Sequence, residues 1–226
     1  MNPLRWAMQS ARHRGILRTT KIAGNVALDC LFDWKYGTDT LRWVEISALE
    51  TVRDSHSHVV HHYAPYRATK AKPFLKLLRQ LRLSHDSVFV DIGSGKGRVL
   101  LIASQHGFRK VVGVELSAEL CAIARKNVDL FCRRMTHSSP IEVREADAAH
   151  YRFRPDENVL FMFNPFDSLI LGKVVENIGH SLQEHPRDIC LIYNTPRHHD
   201  LLKNSGLFRA DSFYEIGGNQ FCVYWT

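Results

Sequence analysis

Val90-Asp91-Ile92-Gly93-Ser94-Gly95-Lys96-Gly97-Arg98 is the stretch that decides how this chain of 226 residues folds. Val88-Phe89-Val90 enters it as a short buried strand, and Val99-Leu100-Leu101-Ile102 leaves it as a helix. The glycines between them let the backbone turn tightly and let a ligand approach main-chain atoms that a Cβ would block. A phosphate loop of the G-x-x-x-x-G-K-[ST] type is excluded, because Gly97 follows Lys96 and no hydroxyl is placed for magnesium. The dinucleotide fingerprint G-x-G-x-x-G fails as well: Gly97 comes one residue early and Arg98 stands in the third glycine's place. What remains is an acid followed by alternating glycines, Asp91-x-Gly93-x-Gly95-x-Gly97.

Downstream of this loop, short apolar runs alternate with helical patterns. Val111-Val112-Gly113-Val114, Ile141-Glu142-Val143, Val159-Leu160-Phe161-Met162-Phe163 and Ile189-Cys190-Leu191-Ile192-Tyr193 read as further strands. Helices are expected from the Ser117 cap to about Arg134 and over about 168–182. Strands over 207–215 and 219–225, joined near Gly217-Gly218-Asn219, predict a closing hairpin. The expected fold is therefore α/β: a Rossmann-like, seven-stranded, mostly parallel sheet with helices on both faces and a C-terminal antiparallel hairpin. A ligand in such a sheet binds at the carboxyl ends of the strands, at the switch point.

Upstream, helices are expected over 20–34, ending before Tyr36-Gly37-Thr38-Asp39, and over 68–82, with Phe74, Leu75, Leu77, Leu78 and Leu81 inward. Residues 1–66 are taken as a basic, mainly helical extension and lid, and 67–226 as the catalytic domain. The chain carries 30 Lys and Arg against 23 Asp and Glu, a net charge of +7. Residues 1–27 hold Arg5, Arg12, Arg14, Arg18 and Lys21 and no acid. That stretch is read first as a solvated basic helix, with an anionic partner or mitochondrial targeting as the alternatives. A cytoplasmic protein is expected, because no apolar run is long enough to span a bilayer. The five cysteines, Cys30, Cys121, Cys132, Cys190 and Cys222, form no metal or disulfide pattern and are expected as buried, reduced thiols in a cytosolic protein.

The acid and alternating glycines of 91–97 resemble motif I of the class I S-adenosylmethionine (SAM) methyltransferases. Three other residues fall where that family places functional groups: Glu115 at the end of the second strand, Asp147 after the third, and Asn164-Pro165-Phe166 after the fourth. Together with Phe32-Asp33-Trp34-Lys35-Tyr36-Gly37-Thr38-Asp39-Thr40 and Tyr63-Ala64-Pro65-Tyr66, the chain resembles bacterial proteins similar to the non-SET histone-lysine methyltransferases of the telomeric-silencing-disruptor type. The histone-directed enzymes have an Asn-Asn-Phe-like turn where this chain has Asn-Pro-Phe.

The resemblance implies SAM as cofactor, bound by Asp91, Gly93, Ser94, Gly95, Gly97, Glu115, Asp147 and Asn164. Glu115 is placed to accept from both ribose hydroxyls, Asp147 to meet the adenine amino group, and Asp91 to order the loop and the methionyl end. Asn164, Phe166 and Tyr63 are the catalytic candidates: Asn164 to orient an acceptor amine, Phe166 to wall its pocket, Tyr63 with Tyr66 to close a lid. Each has a structural rival, respectively a turn cap, a core ring and a tyrosine corner. Lys96 and Arg98 are expected to meet a carboxylate or substrate anion, or to stand in solvent. His56, His58, His61 and His62 lack a carboxylate or cysteine to complete a metal set, so no metal is expected. His198 and His199 are expected on a surface loop. The function implied is N-methylation of an amine, protein lysine first; RNA or DNA bases, small molecules and a non-catalytic SAM-binding role are the alternatives.

Overall fold

A computed structural model describes residues 27–42, 44, 62 and 64–226. Tyr63, His56, His58, His61 and the basic stretch up to residue 26 lie outside the described residues.

Residues 27–36 are helical and stop at Gly37, whose φ of 65° ends the helix. Then follow α1 (Ala71–Leu81), β1 (Val88–Ile92), α2 (Arg98–His106), β2 (Lys110–Glu115), α3 (Ala118–Cys132), β3 (Ile141–Glu145), a short 3-10 turn (Ala148–His150) and β4 (Glu157–Met162). The chain closes with α4 (Ser168–Glu184), β5 (Cys190–Asn194), α5 (His199–Lys203), β6 (Ala210–Ile216) and β7 (Asn219–Trp225). The sheet order is β3-β2-β1-β4-β5-β7-β6. Strands β1 to β5 run parallel, and β7 is antiparallel to both β5 and β6.

Alternation along the strands builds a core on each face. Val88, Val90 and Ile92 of β1 join Leu160, Met162, Val174, Ile178 and Tyr193 in one. Phe89 joins Phe74, Leu77, Leu78, Leu100, Phe161 and Ile192 in the other. Burial of each such side chain contributes about 2–3 kcal/mol. The runs are continuous in sequence because β1 and β5 are buried along their whole length.

Helix α1 is shorter than the apolar pattern over 68–82. Lys70 supplies no side-chain cap. Asp29 caps the helix from a distance, accepting from the Ala71 amide at 3.1 Å. The carbonyl of Thr69 is taken by Arg98 Nε at 2.9 Å, which holds the residues before the helix extended. His199 also departs from expectation. It opens α5, with Nδ1 2.7 Å from the Tyr224 hydroxyl and its ring against Phe213. Among the described residues no helix is long and apolar enough to cross a membrane. All five cysteines are free; Cys121, Cys190 and Cys222 are buried, whereas Cys30 and Cys132 are exposed.

Candidate active site

The sheet order reverses at β1, which lies between β2 and β4, so the crevice opens beyond the carboxyl ends of those strands. A cleft lies there. Gly93 and Gly95 line it with Val114, Glu115, Leu116 and Leu120 on one side, Phe163–Phe166 on another, and residues 64–67, Thr195 and Arg197 at its mouth.

The loop is glycine for reasons visible in its neighbours. Gly93 has φ 82°, and a Cβ there would lie 2.8 Å from Pro165 Cβ. Gly95 has φ 53°, and its Cβ would meet the Tyr66 ring at 2.2 Å. Pro165 and Tyr66 thus pinch the loop from two sides, and a side chain would force one of them out. Gly97, at φ 82°, is the N-cap of α2 and packs on Ala124. Ser94 is buried with its Oγ unpartnered among the described residues and turned toward Gly113.

Glu115 is tied into this loop. Its carboxylate accepts from the amide of Gly95 at 2.8 Å and from that of Ser117 at 3.0 Å. A carboxylate offers about four lone-pair positions, so about two remain for a vicinal diol. Burial pushes the Glu115 carboxyl up, against the pull of the Ser117 and Gly95 amides. Asp91, fully inside β1, is pushed well above the usual carboxylate range by burial and then by the charge of Glu115. A cationic ligand relieves both effects. The glycine cradle, the half-free carboxylate and the apolar wall of Val114, Leu116, Leu120, Ala146, Ala148 and Phe163 therefore fit SAM, which joins an adenosine to a cationic methionyl end.

Asp147 sits beside the cleft, between its lining residues Ala146 and Ala148. Its carboxylate accepts from the Ala149 amide at 2.9 Å and lies 3.0 Å from His150 Nδ1, capping the 3-10 turn.

The opposite end of the cleft is built from strained backbone. Three described non-glycine residues have positive φ: Arg82 at a helix end, and Asn164 (42°) and Thr195 (57°), both lining the cleft. A β-branched residue before Pro196 is a costly occupant of that region, and such strain clusters where sites are built. Tyr193 joins the two. Its hydroxyl donates to Asn164 Oδ1 at 2.7 Å and itself accepts from the backbone amides of His198 and Arg197. Burial pushes that hydroxyl up to about 12, so it keeps its proton and donates. This fixes which way the Asn164 amide points. The Thr195 amide is held in turn by the carbonyl of Gln220 at 2.8 Å. Phe166 lines the cleft and also packs, 5% exposed, in the core.

His62 and residues 64–66 are tied down beside the cleft at three points. His62 Nδ1 lies 2.5 Å from Asp167 Oδ2, the Ala64 amide donates to Pro165 O at 2.9 Å, and Tyr66 Oη donates to Thr40 O at 2.6 Å. Burial works upward on the Asp167 carboxyl but is outweighed by His62 and the amides of Ile170 and Leu169, so it stays below the usual range.

Lys96 and Arg98 correct the expectation of a ligand contact or a solvated charge. Both are 1% exposed. Lys96 Nζ pairs with Asp39 at 3.1 Å. Arg98 donates to Asp29 at 2.6 Å, Thr40 Oγ1 at 2.6 Å and Asp33 at 3.3 Å, and its guanidinium lies over the Phe32 ring. Asp33 also accepts from the Thr38 and Thr40 hydroxyls and the Thr40 and Leu41 amides. Asn127 bridges the Asp39 backbone to the Lys96 carbonyl. The Phe32–Thr40 stretch is thus a clamp on the back of the glycine loop. The sequence places Tyr193 in the fifth strand without a site role, and neither the clamp nor Thr195 is among the expected site residues. The turn signal of Asn194-Thr195-Pro196 was the available clue.

Gly95→Val is expected to abolish SAM binding, because the branched side chain cannot coexist with the Tyr66 ring at that φ. SAM raises the melting temperature of the parent protein by binding its native state and leaves that of the variant unmoved. An undiminished shift in the variant would remove the glycine loop from the cofactor site.

A family model described as histone methylation protein DOT1 matches residues 57–171. The H3 lysine-79 specific histone-lysine N-methyltransferase of Caenorhabditis elegans is 25% identical over 215 residues, 82% of this chain and 23% of that relative. A protein-lysine N-methyltransferase of Saccharolobus islandicus is 32% identical over 74 residues, 32% of this chain and 45% of that relative. The chain thus spans less than half the length of each of these two relatives. A SAM-dependent methyltransferase from Aquifex aeolicus superposes with a TM-score of 0.52 at 18% identity, covering 68% of this chain and 88% of that one, a likeness of fold.

Proposed function

We propose that this chain, a class I SAM-dependent methyltransferase that belongs to the DOT1 histone-methylation family, methylates the side-chain amine of a protein lysine. The observation that carries the reading is Asn164. It lines the cleft with a left-handed backbone, and its Oδ1 is held by Tyr193.

When bound, SAM supplies a methyl group made electrophilic by its sulfonium sulfur. The chain's own task is to hold a neutral amine in line with that group. A free lysine has a pKa of about 10.4 and arrives charged. Pro165 and Phe166 present apolar surface that disfavours the ammonium form. An amine nucleophile needs an acceptor for its N–H so that its lone pair points at the methyl carbon. Asn164 Oδ1, with one lone pair engaged by Tyr193, keeps a second for that bond. His62, Ala64 and Tyr66, held by Asp167, Pro165 and Thr40, would narrow the access of water to the reacting end. The lysine N-methyltransferases among the relatives support the choice of acceptor.

The test is transfer of a tritiated methyl group from SAM into a cell lysate, sorted into protein, nucleic-acid and small-molecule fractions. Label in protein, recovered as methyl-lysine on hydrolysis, is the expected result. Label confined to RNA, DNA or small molecules would sink the lysine reading and keep the enzyme class. No label in any fraction, despite SAM binding, would favour a non-catalytic SAM-binding role.

A further inference from the structure

Among the described residues, two arginines stand at the mouth of the cleft. Arg67 and Arg197 both line it, and both are exposed. Among the described residues neither is in an ion pair, whereas Arg98, Arg109 and Arg144 all are. Glu115 is the acid among the described lining residues, and its carboxylate is turned to the glycine loop, where it accepts from the Gly95 and Ser117 amides. The two guanidiniums come from different parts of the fold. Arg67 follows Tyr66, whose hydroxyl is anchored on Thr40. Arg197 sits in the turn after β5, where its amide donates to Thr195 O at 2.8 Å and Thr195 is itself tied to Gln220.

A lysine approaching this mouth carries the same sign of charge, so the rim disfavours a bare or basic-flanked ammonium group. It accepts one whose neighbours along the chain are acidic, because carboxylates match the guanidinium forks. The same repulsion favours the neutral amine once the side chain has entered. Resting on the reading of a lysine acceptor, we propose that Arg67 and Arg197 select a lysine flanked by Asp or Glu in an acidic protein segment. A nucleic acid is the less suitable occupant. Phosphate tracking uses a run of cations, and residues 71–226 hold 20 basic against 17 acidic groups, close to balance.

Binding of labelled short peptides with one central lysine, measured on the SAM-binding full chain, tests this without needing turnover. The acidic-flanked peptide is expected to bind about tenfold more tightly than the serine-flanked one, and the arginine-flanked one more weakly still. Arg67→Glu/Arg197→Glu should reverse that order. In that variant and in each single charge reversal, the SAM-induced rise in melting temperature should stay as in the parent. Equal affinities across the three peptides, an order unchanged by the double variant, or tighter binding of a single-stranded RNA of equal charge would each overturn the proposal. Loss of the SAM-induced shift in a single variant would assign that arginine to the cofactor's carboxylate and overturn it too. Failure of the lysine reading looks different: the acidic peptide binds with the expected preference, yet its lysine receives no methyl group.

Discussion

Asn164→Ala is expected to lower methyl transfer about a hundredfold while the SAM-induced rise in melting temperature persists, because a misplaced nucleophile alone costs that much. The side chain lines the cleft where the proposed acceptor would enter, and its Oδ1 is held by the Tyr193 hydroxyl at 2.7 Å. Alanine at φ 42° also carries backbone strain, which would confuse a loss of geometry with a loss of folding. Asn164→Gly separates the two, since glycine takes that φ without penalty. Both variants should lose turnover alike, with the glycine form the more stable. Tyr193→Phe removes the aiming bond and leaves the amide in place, so a smaller loss, in kcat more than in KM, is expected. Steady-state kinetics with the unmethylated form of the protein fraction that accepts the label, alongside thermal shift, reads all three. Wild-type turnover in Asn164→Gly would reduce Asn164 to a turn residue.

Arg98→Met carries the largest expected effect on stability. The guanidinium is 1% exposed and binds Asp29 and Asp33 at once. Removing it leaves two largely buried carboxylates without their counter-charge, at a cost of about 3–5 kcal/mol. For a chain of this size each kcal/mol lowers the melting temperature by about 2–4 °C, so a fall of about 10 °C is expected in a thermal scan. Arg98→Lys should recover only part of it, because an ammonium cannot reach Asp29, Asp33 and Thr69 O together. The loss should extend to SAM affinity, since Arg98 is the first residue of α2 and fixes the exit of the glycine loop. A fall of only a degree or two would show that the clamp contributes little to the fold.

The alternation of apolar runs with helical patterns was legible because a parallel strand buried on both faces and an amphipathic helix each write their burial into consecutive residues. The glycine loop was legible for the same local reason. A turn pinched between two rings admits only glycine, whichever residues supply the rings. Glu115 followed from its position at the end of β2, 20 residues after Gly95, the residue whose amide it accepts.

Charge and polarity were harder to read than hydrophobicity. A buried arginine and a solvated one have the same sequence signature. Arg98 is interior because Asp29 and Asp33, 69 and 65 residues earlier, are carried to it by the docking of the 27–36 helix. Asn164 looks like a turn cap until β5 is laid beside β4 and brings Tyr193 to its side chain, 29 residues on. Sequence by itself determined the α/β sheet and its glycine cradle, since apolar runs and glycine turns are written into consecutive residues, and the resemblance added the acid at the end of β2. The tertiary structure alone decided which charges face the cleft and which hold the fold together. Ion pairs and hydrogen bonds act over about 3 Å, and only the strand order brings their distant partners that close.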